Sequence, residues 1–155
     1  MPIVNSKVHK TVKIWHPELV NIYDSKIGQN TKIASFVEVG GSQIGCNCKI
    51  EAFAFIPPGT VIGDFVFIGP HVAFCNDKYP KCAMALDWKC QPATVENYAT
   101  IGAGSVILPG VRIGKYATVG AGSVVVKDVP QGAMVHGERA RLARSYSGDH
   151  AEGGH

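Results

Sequence analysis

Apolar side chains recur at every sixth position along much of this chain, with short polar stretches between them. Ile27, Ile33 and Val39 begin the series, Ile44, Ile50, Ile56, Ile62, Ile68 and Phe74 continue it, and Val95, Ile101, Ile107, Ile113, Val119 and Val125 resume it after a break. Glycine directly follows several of these positions, as at Gly28, Gly45, Gly63, Gly69, Gly102, Gly114 and Gly120, and small residues such as Ser25, Ala54, Ala99, Ser105, Ala117 and Ser123 stand two places before others. A six-residue period matches neither the helical period nor simple strand alternation. It fits a two-residue strand and a sharp corner, repeated, with the branched residue pointing inward onto its equivalent in the next coil and glycine easing the corner. Such a fold buries its core only by stacking rungs, so many repeats are required. The fifteen repeat positions predict an all-β solenoid over roughly residues 20–130.

Two departures interrupt the period. Val39 and Ile44 are five residues apart, which shortens one corner, and the stretch between Phe74 and Val95 has no repeat at all. A loop leaving a rigid solenoid is a place where function concentrates, and the insertion is assigned to residues 75–94. Residues 1–19 hold the period poorly and are expected to form a leading strand or irregular cap. Gln131 to His136 reads as a last strand, and Gly137 to Leu142 as a short basic turn or helix. Residues 145–155 read as a polar, unstructured tail. The expected organisation is one solenoid domain over 1–136 followed by a basic segment over 137–155.

Composition narrows the function classes. Hydrophobic residues make up 46% and charged residues 17%, with 18 glycines and 8% aromatics, a globular balance far from that of a helical bundle. The net charge of +3 is too small to indicate a nucleic-acid partner. No apolar stretch reaches the length of a membrane span, and Met1 to Lys10 lacks the apolar core of a signal peptide. A soluble, cytoplasmic protein is expected. The five cysteines, Cys46, Cys48, Cys75, Cys82 and Cys90, show no framework spacing and read as reduced thiols. Cys46 and Cys48 lack the spacing of a zinc site, so no metal is expected. The glycine corners are not followed by Gly-Lys-Ser or Gly-Lys-Thr, so they are no phosphate loop.

The hexads resemble the hexapeptide-repeat family of left-handed parallel β-helices, in which three hexapeptides make one triangular coil; that resemblance implies about five coils and the left hand. Ile101-Gly-Ala-Gly-Ser-Val-Ile-Leu-Pro-Gly-Val-Arg-Ile-Gly and Val119-Gly-Ala-Gly-Ser-Val-Val-Val-Lys-Asp-Val-Pro resemble the final coils of the acetyl-CoA-dependent members. The physical reason is small side chains: Gly102, Ala103, Gly104, Gly120, Ala121 and Gly122 leave a nearly flat outer wall. A pantetheine arm fits along such a wall, and backbone N–H groups there are placed to polarise a thioester carbonyl. Lys115, Lys127, Arg139, Arg141 and Arg144 are candidates for the CoA phosphates. Where the family pattern reads Gly-Asn-Pro-Ala, this chain has Gly137-Glu138-Arg139-Ala140, which departs at the adenine end.

The loop string Ile68-Gly-Pro-His-Val-Ala-Phe-Cys-Asn-Asp-Lys-Tyr-Pro is similar to the subgroup that acts on 3-amino sugars carried on UDP or dTDP. The subgroup's Phe-Thr-Asn motif reads Phe74-Cys75-Asn76 here. By that resemblance Asn76 holds the reacting amine through its side-chain carbonyl. His71 is the alternative centre, as a general base or as a structural hydrogen-bonding residue. Glu51, Phe74, Asp77, Lys78 and Tyr79 are the candidate substrate contacts. The resemblance further implies a homotrimer with sites in the grooves between subunits. The rival readings are a non-catalytic hexapeptide scaffold and an acyltransferase for another small acceptor.

Overall fold

The computed structural model describes residues 2–82, 88–138 and 140–145. The chain winds into a parallel β-helix with three sheets. Face 1 carries Ile3–Val4, Asn21–Tyr23, Glu38–Gly40, Phe55–Ile56, Ala73–Phe74, Val106–Ile107 and Val124–Val125. Face 2 carries Lys7–Val8, Lys26–Ile27, Gln43–Ile44, Val61–Ile62, Thr94–Val95 and Arg112–Ile113, and Val129 adds a seventh rung by bridging to Ile113. Face 3 carries Lys13–Ile14, Lys32–Ile33, Lys49–Ile50, Phe67–Ile68, Thr100–Ile101, Thr118–Val119 and Ala133–His136. Visiting the faces in that order, the chain completes seven turns, two more than the repeat-bearing stretch alone implied.

All fifteen hexad positions are buried, and Ile33, Ile56, Ile68, Ile101, Ile107 and Ile113 are fully enclosed. Each removes an aliphatic side chain from water, worth about 1.5–3 kcal/mol when complete. The small residues two places earlier line the inside of the corners, where Ser25, Ser42, Thr60, Ser105 and Ser123 are also buried. Their hydroxyls cap corner carbonyls: Ser42 Oγ donates to Gly40 O at 2.7 Å and Pro57 O at 2.8 Å, and Thr60 Oγ1 to Pro57 O at 2.7 Å. Among the described residues, no buried side-chain nitrogen or oxygen is left without a hydrogen-bond partner.

Both ends differ from the sequence expectation. Residues 2–19 form a first coil, with Ile3–Val4, Lys7–Val8 and Lys13–Ile14 each parallel to the strand one turn later. Its inward residues Ile3, Val8 and Ile14 stand five and six residues apart, eight residues separate Ile14 from Ile22, and all three stay half-buried because no described coil covers their outer side. A 3-10 turn, Pro17–Leu19, leads into the second coil. At the other end the segment after Gly137 is neither a simple turn nor a helix. It turns at 137–138 and returns as the strand Arg141–Ser145, antiparallel to Ala133–His136. The last rung's backbone groups need a partner, and this strand supplies it, with Ser145 as its end. Residues 146–155 of the expected tail lie outside the described residues.

Candidate functional site

At the corner joining face 3 to face 1, one residue per coil takes a left-handed backbone: Phe36 (φ 62°), Phe53 (64°), His71 (59°), Gly104 (70°) and Gly122 (69°). Aromatic side chains there are unusual, because a Cβ is strained at positive φ. They stack instead of splaying. The Phe36 and Phe53 rings lie 4.9 Å apart at 19°, and those of Phe53 and His71 4.7 Å apart at 4°. Such stacking offsets part of the strain, by about 0.5–1.5 kcal/mol per pair. The ladder ends at His71. The next rung is Gly104, whose N–H bonds Pro70 O at 2.8 Å, and the one after is Gly122, bonded to Ala103 O at 2.7 Å. A Cβ at either glycine would meet nothing within 4 Å.

The glycines two places earlier have a different reason. A Cβ at Gly69 would stand 2.7 Å from Ala103 N, one at Gly102 2.5 Å from Ala121 N, and one at Gly120 2.9 Å from His136 Cβ. These positions are glycine because the next coil passes so close. The missing side chains at Gly69 and Gly102 leave the Ala103 and Ala121 N–H groups uncovered, and neither makes a hydrogen bond among the described residues. Ser105 Oγ donates to Gly120 O at 3.0 Å and Ser123 Oγ to the same oxygen at 2.6 Å, tying the two Gly-Ala-Gly-Ser corners together. The result is a smooth strip with two free amide donors one coil apart, closed at its upper end by the His71 ring. Gly69, named from sequence only as a corner glycine, also belongs to this strip. Its place directly after Ile68, equivalent to Gly102 after Ile101, was the available signal.

Glu51 occupies the same corner two coils above Gly102 and pairs with Lys49 at 3.1 Å. The cations are spread more widely. Away from the loop and the terminal coils, a coil is seventeen or eighteen residues long, so residues at that interval share a corner, as Gly102 and Gly120 do. Lys115 lies at the corner between faces 2 and 3, its ammonium over the Tyr116 ring and its N–H bonded to Glu96 Oε2 at 2.8 Å. Lys127 is exposed after Val124–Val125, at the corner between faces 1 and 2. Arg141 is on the returning strand opposite His136, beneath Gly120 and near the strip's lower end, with Arg144 opposite Met134. Arg139 lies outside the described residues.

Asn76 stands at the next corner from His71, beyond the face-1 strand Ala73–Phe74. Its Nδ2 donates to Pro58 O at 3.0 Å, and its Oδ1 accepts no hydrogen bond among the described residues. The loop begins with an Asx turn, in which Asp77 Oδ1 accepts from Tyr79 N at 3.0 Å, and Lys78 lies over the exposed Tyr79 ring. Phe74, expected beside the substrate, is 1% exposed. It occupies the inward position of its hexad and props the root of the loop from inside, so it offers no surface to a ligand. Within one protomer, then, the strip with Glu51 and His71 lies at one corner, and Asn76 with Asp77, Lys78 and Tyr79 at the next. Burial pushes the Cys48 and Cys75 thiols up, which keeps both protonated and poorly nucleophilic.

Comparison with known proteins agrees with the fold. The pattern described as "Bacterial transferase hexapeptide (six repeats)" matches residues 41–75 and 92–127, the gap falling on the loop. The bifunctional protein GlmU of Aquifex aeolicus is 36% identical over 113 residues, 72% of this chain and 22% of that protein. The chain spans between about a fifth and a half of the length of the curated relatives it matches. A hexapeptide transferase family protein from Anaplasma phagocytophilum superposes with a TM-score of 0.74 at 22% identity, covering 92% of this chain and 80% of that one. A variant of AntD, an N-acyltransferase from Bacillus cereus, in complex with dTDP-4-amino-4,6-dideoxyglucose and coenzyme A, gives 0.72 at 23% identity, covering 93% and 85%. At these identities the structural likenesses establish the fold.

Proposed function

The chain belongs to the hexapeptide-repeat family, and we propose that it is an acetyl-CoA-dependent N-acetyltransferase acting on the amine of a UDP- or dTDP-linked amino sugar in surface polysaccharide synthesis. The observation that carries the reading is the strip at the corner between faces 3 and 1. Its open Gly104 and Gly122 rungs and the free Ala103 and Ala121 amides fit an extended pantetheine arm, whose amides need donors and room. A CoA-binding AntD variant with the same fold supports the choice.

Acetyl-CoA supplies an activated acyl group and a thiolate leaving group. The protein has to aim a neutral amine, offer donors to the developing oxyanion and leave the thiolate room to depart. The strip's amide N–H groups are the donors. Asn76 Oδ1, turned away from its Pro58 anchor, accepts from the amine and aims its lone pair. The proton shed when the C–N bond forms goes to His71 or to the departing thiolate. Arg141, near the lower end of the strip, is assigned to the CoA phosphates, and Glu51, Lys78 and Tyr79 to the sugar nucleotide.

His71 and Asn76 stand at different corners of one chain, and the reading therefore includes a homotrimer that brings two such corners together. Face 1 supports it: outward residues Phe55, Ala73, Val106 and Val124 stand in direct register as an apolar ladder, with Phe55 40% exposed. Packing face 1 against a neighbour brings one chain's Asn76 corner toward the next chain's His71 corner. No described helix is long and apolar enough to cross a membrane; the reading places the protein in the cytoplasm with its substrates.

The test is thiol release from acetyl-CoA across a panel of UDP- and dTDP-amino sugars. Release with one such amine and not with serine or simple sugars supports the reading. Silence with every amine leaves a non-catalytic hexapeptide scaffold.

A further inference from the structure

The Asn76 amide is held in a small three-group cluster at the corner between faces 1 and 2. Pro58 O accepts two hydrogen bonds, from Asn76 Nδ2 at 3.0 Å and from the Cys90 thiol at 3.3 Å. Asn76 Nδ2 also points at Cys90 Sγ, at 3.8 Å. Cys90 comes from the far end of the loop, which is stapled to its near end: Gln91 N donates to Asn76 O at 2.8 Å, and Gly110 N to Gln91 O at 2.9 Å. The residue after Pro58 leaves room for the cluster. Gly59 has φ +91°, and a Cβ there would stand 2.9 Å from Pro92 Cβ and 3.2 Å from Cys90 Sγ.

An asparagine amide turns easily, and the two ways round present opposite chemistry, an NH2 donor or a carbonyl acceptor. The carbonyl of Pro58 and the sulfur of Cys90 both take the NH2 side. Either partner alone leaves the amide room to swing about the single contact; together they fix its plane as well as its sense. Oδ1 then faces out of the corner, the orientation an acceptor for an amine N–H requires.

We propose that Cys90 is a positioning residue for Asn76, acting through the Pro58 carbonyl, and so sets how well the acceptor amine is aimed. The inference rests on the assignment of Asn76 as the amine-holding residue. It explains why a thiol sits on an exposed loop with its hydrogen bonded inward. It also gives the insertion a mechanical role, since the loop returns to the solenoid at the residue that orients its first polar side chain.

The experiment is a double-mutant cycle on the intact chain. It uses dTDP-4-amino-4,6-dideoxyglucose, or whichever panel member the wild type turns over fastest. Cys90→Ala is expected to lower kcat/KM for the amino sugar by roughly 5- to 20-fold, the scale of one lost orienting hydrogen bond. KM for acetyl-CoA stays unchanged. Cys90→Ser keeps a donor to Pro58 O and is expected to recover activity to within about twofold. In an Asn76→Ala background Cys90→Ala has no further effect, because residues acting through one another are not additive. Three results overturn the proposal: a silent Cys90→Ala, a Cys90→Ser as impaired as Cys90→Ala, or full additivity with Asn76→Ala. Full activity in Asn76→Ala, or no thiol release by the wild type, refutes instead the site assignment beneath it.

Discussion

Two corners of the same solenoid carry aromatic ladders, and they part company in the lower coils. Between faces 3 and 1, Phe36, Phe53 and His71 stack and then stop, and the next two rungs are bare glycine. Between faces 2 and 3, Phe65, Tyr98 and Tyr116 stack at 5.0 and 4.9 Å through the levels where the first corner is bare. That second ladder is braced. The Glu96 carboxylate accepts from Arg112 Nε at 2.7 Å and from the Lys115 N–H, and Lys115 covers Tyr116. The backbone conformation is the same at both corners, so conformation alone does not call for glycine at 104 and 122. Open space does. One corner is finished with side chains and the other is left smooth, and the proposed function places its ligand at the smooth one.

The sharpest way to break this contrast is to fill the smooth corner. Ala103→Trp adds a side chain at an exposed position without straining the backbone. It is expected to lower kcat/KM for acetyl-CoA by roughly 100-fold, about 2.7 kcal/mol, with the thermal midpoint unchanged. Unimpaired turnover would remove the strip from the mechanism. Next in size is the effect of mixing subunits. His71→Ala and Asn76→Ala should each lose roughly 10- to 100-fold alone. Unfolded together and refolded at equal ratio, they should regain about a quarter of wild-type turnover if each site takes one residue from each of two chains. No recovery means that a site is built within one protomer.

Emptying the braced corner should do the reverse of filling the smooth one. Tyr98→Ala removes the middle ring and two stacked pairs, and a loss of about 1–2 kcal/mol is expected. That corresponds to a fall of roughly 2–8 °C in Tm at this chain length, with kcat/KM held within about twofold. A Tyr98→Ala enzyme that folds normally but fails to turn over would make the second ladder functional. The smallest effect concerns Glu96. Backbone bonding from Lys115, then the Arg112 contacts, hold its carboxyl below the usual range. A lowered folded-state value stabilises the fold above the unfolded carboxyl range, and that contribution disappears as pH falls through the folded value. Glu96→Gln should flatten the acid side of a Tm–pH profile slightly, and an unchanged profile would show the bracing to be inert.

The inward ladder was legible because its signal is one-dimensional. A branched residue at each sixth position needs no knowledge of which coil it lands in, and Ile27 through Val125 all went inside. The first coil escaped notice because its inward residues Ile3, Val8 and Ile14 break the six-residue interval, the 3-10 turn at Pro17–Leu19 delaying the next one, Ile22, by eight residues. The returning strand at Arg141–Ser145 escaped notice because its Arg-Leu-Ala-Arg-Ser run has no hexad and every residue in it is exposed. The site was legible in its pieces only. Gly-Ala-Gly-Ser at 102–105 and 120–123 announces a smooth corner. Whether Lys115 or Lys127 shares it depends on position within an eighteen-residue turn, which a list of nearby cations ignores. The Pro58–Asn76–Cys90 cluster was out of reach, since 58 and 76 meet across a coil and 90 arrives over a loop of no fixed period.

The insertion at coil five has a consequence for how the molecule assembles. Each rung pairs only with the rungs above and below, so folding can start in any stretch of neighbouring coils and spread. Elsewhere the next rung on a face arrives about eighteen residues later. Between Phe74 and its partner Ile107 it arrives thirty-three residues later. Closing that longer excursion costs only about 0.5 kcal/mol more by chain entropy, but the step comes at one place and divides the solenoid into an upper and a lower block. The upper block carries His71 and Asn76, the lower one both free amides of the strip. Active protein should therefore appear only when the seam between them has zipped, later than the bulk of the β-structure.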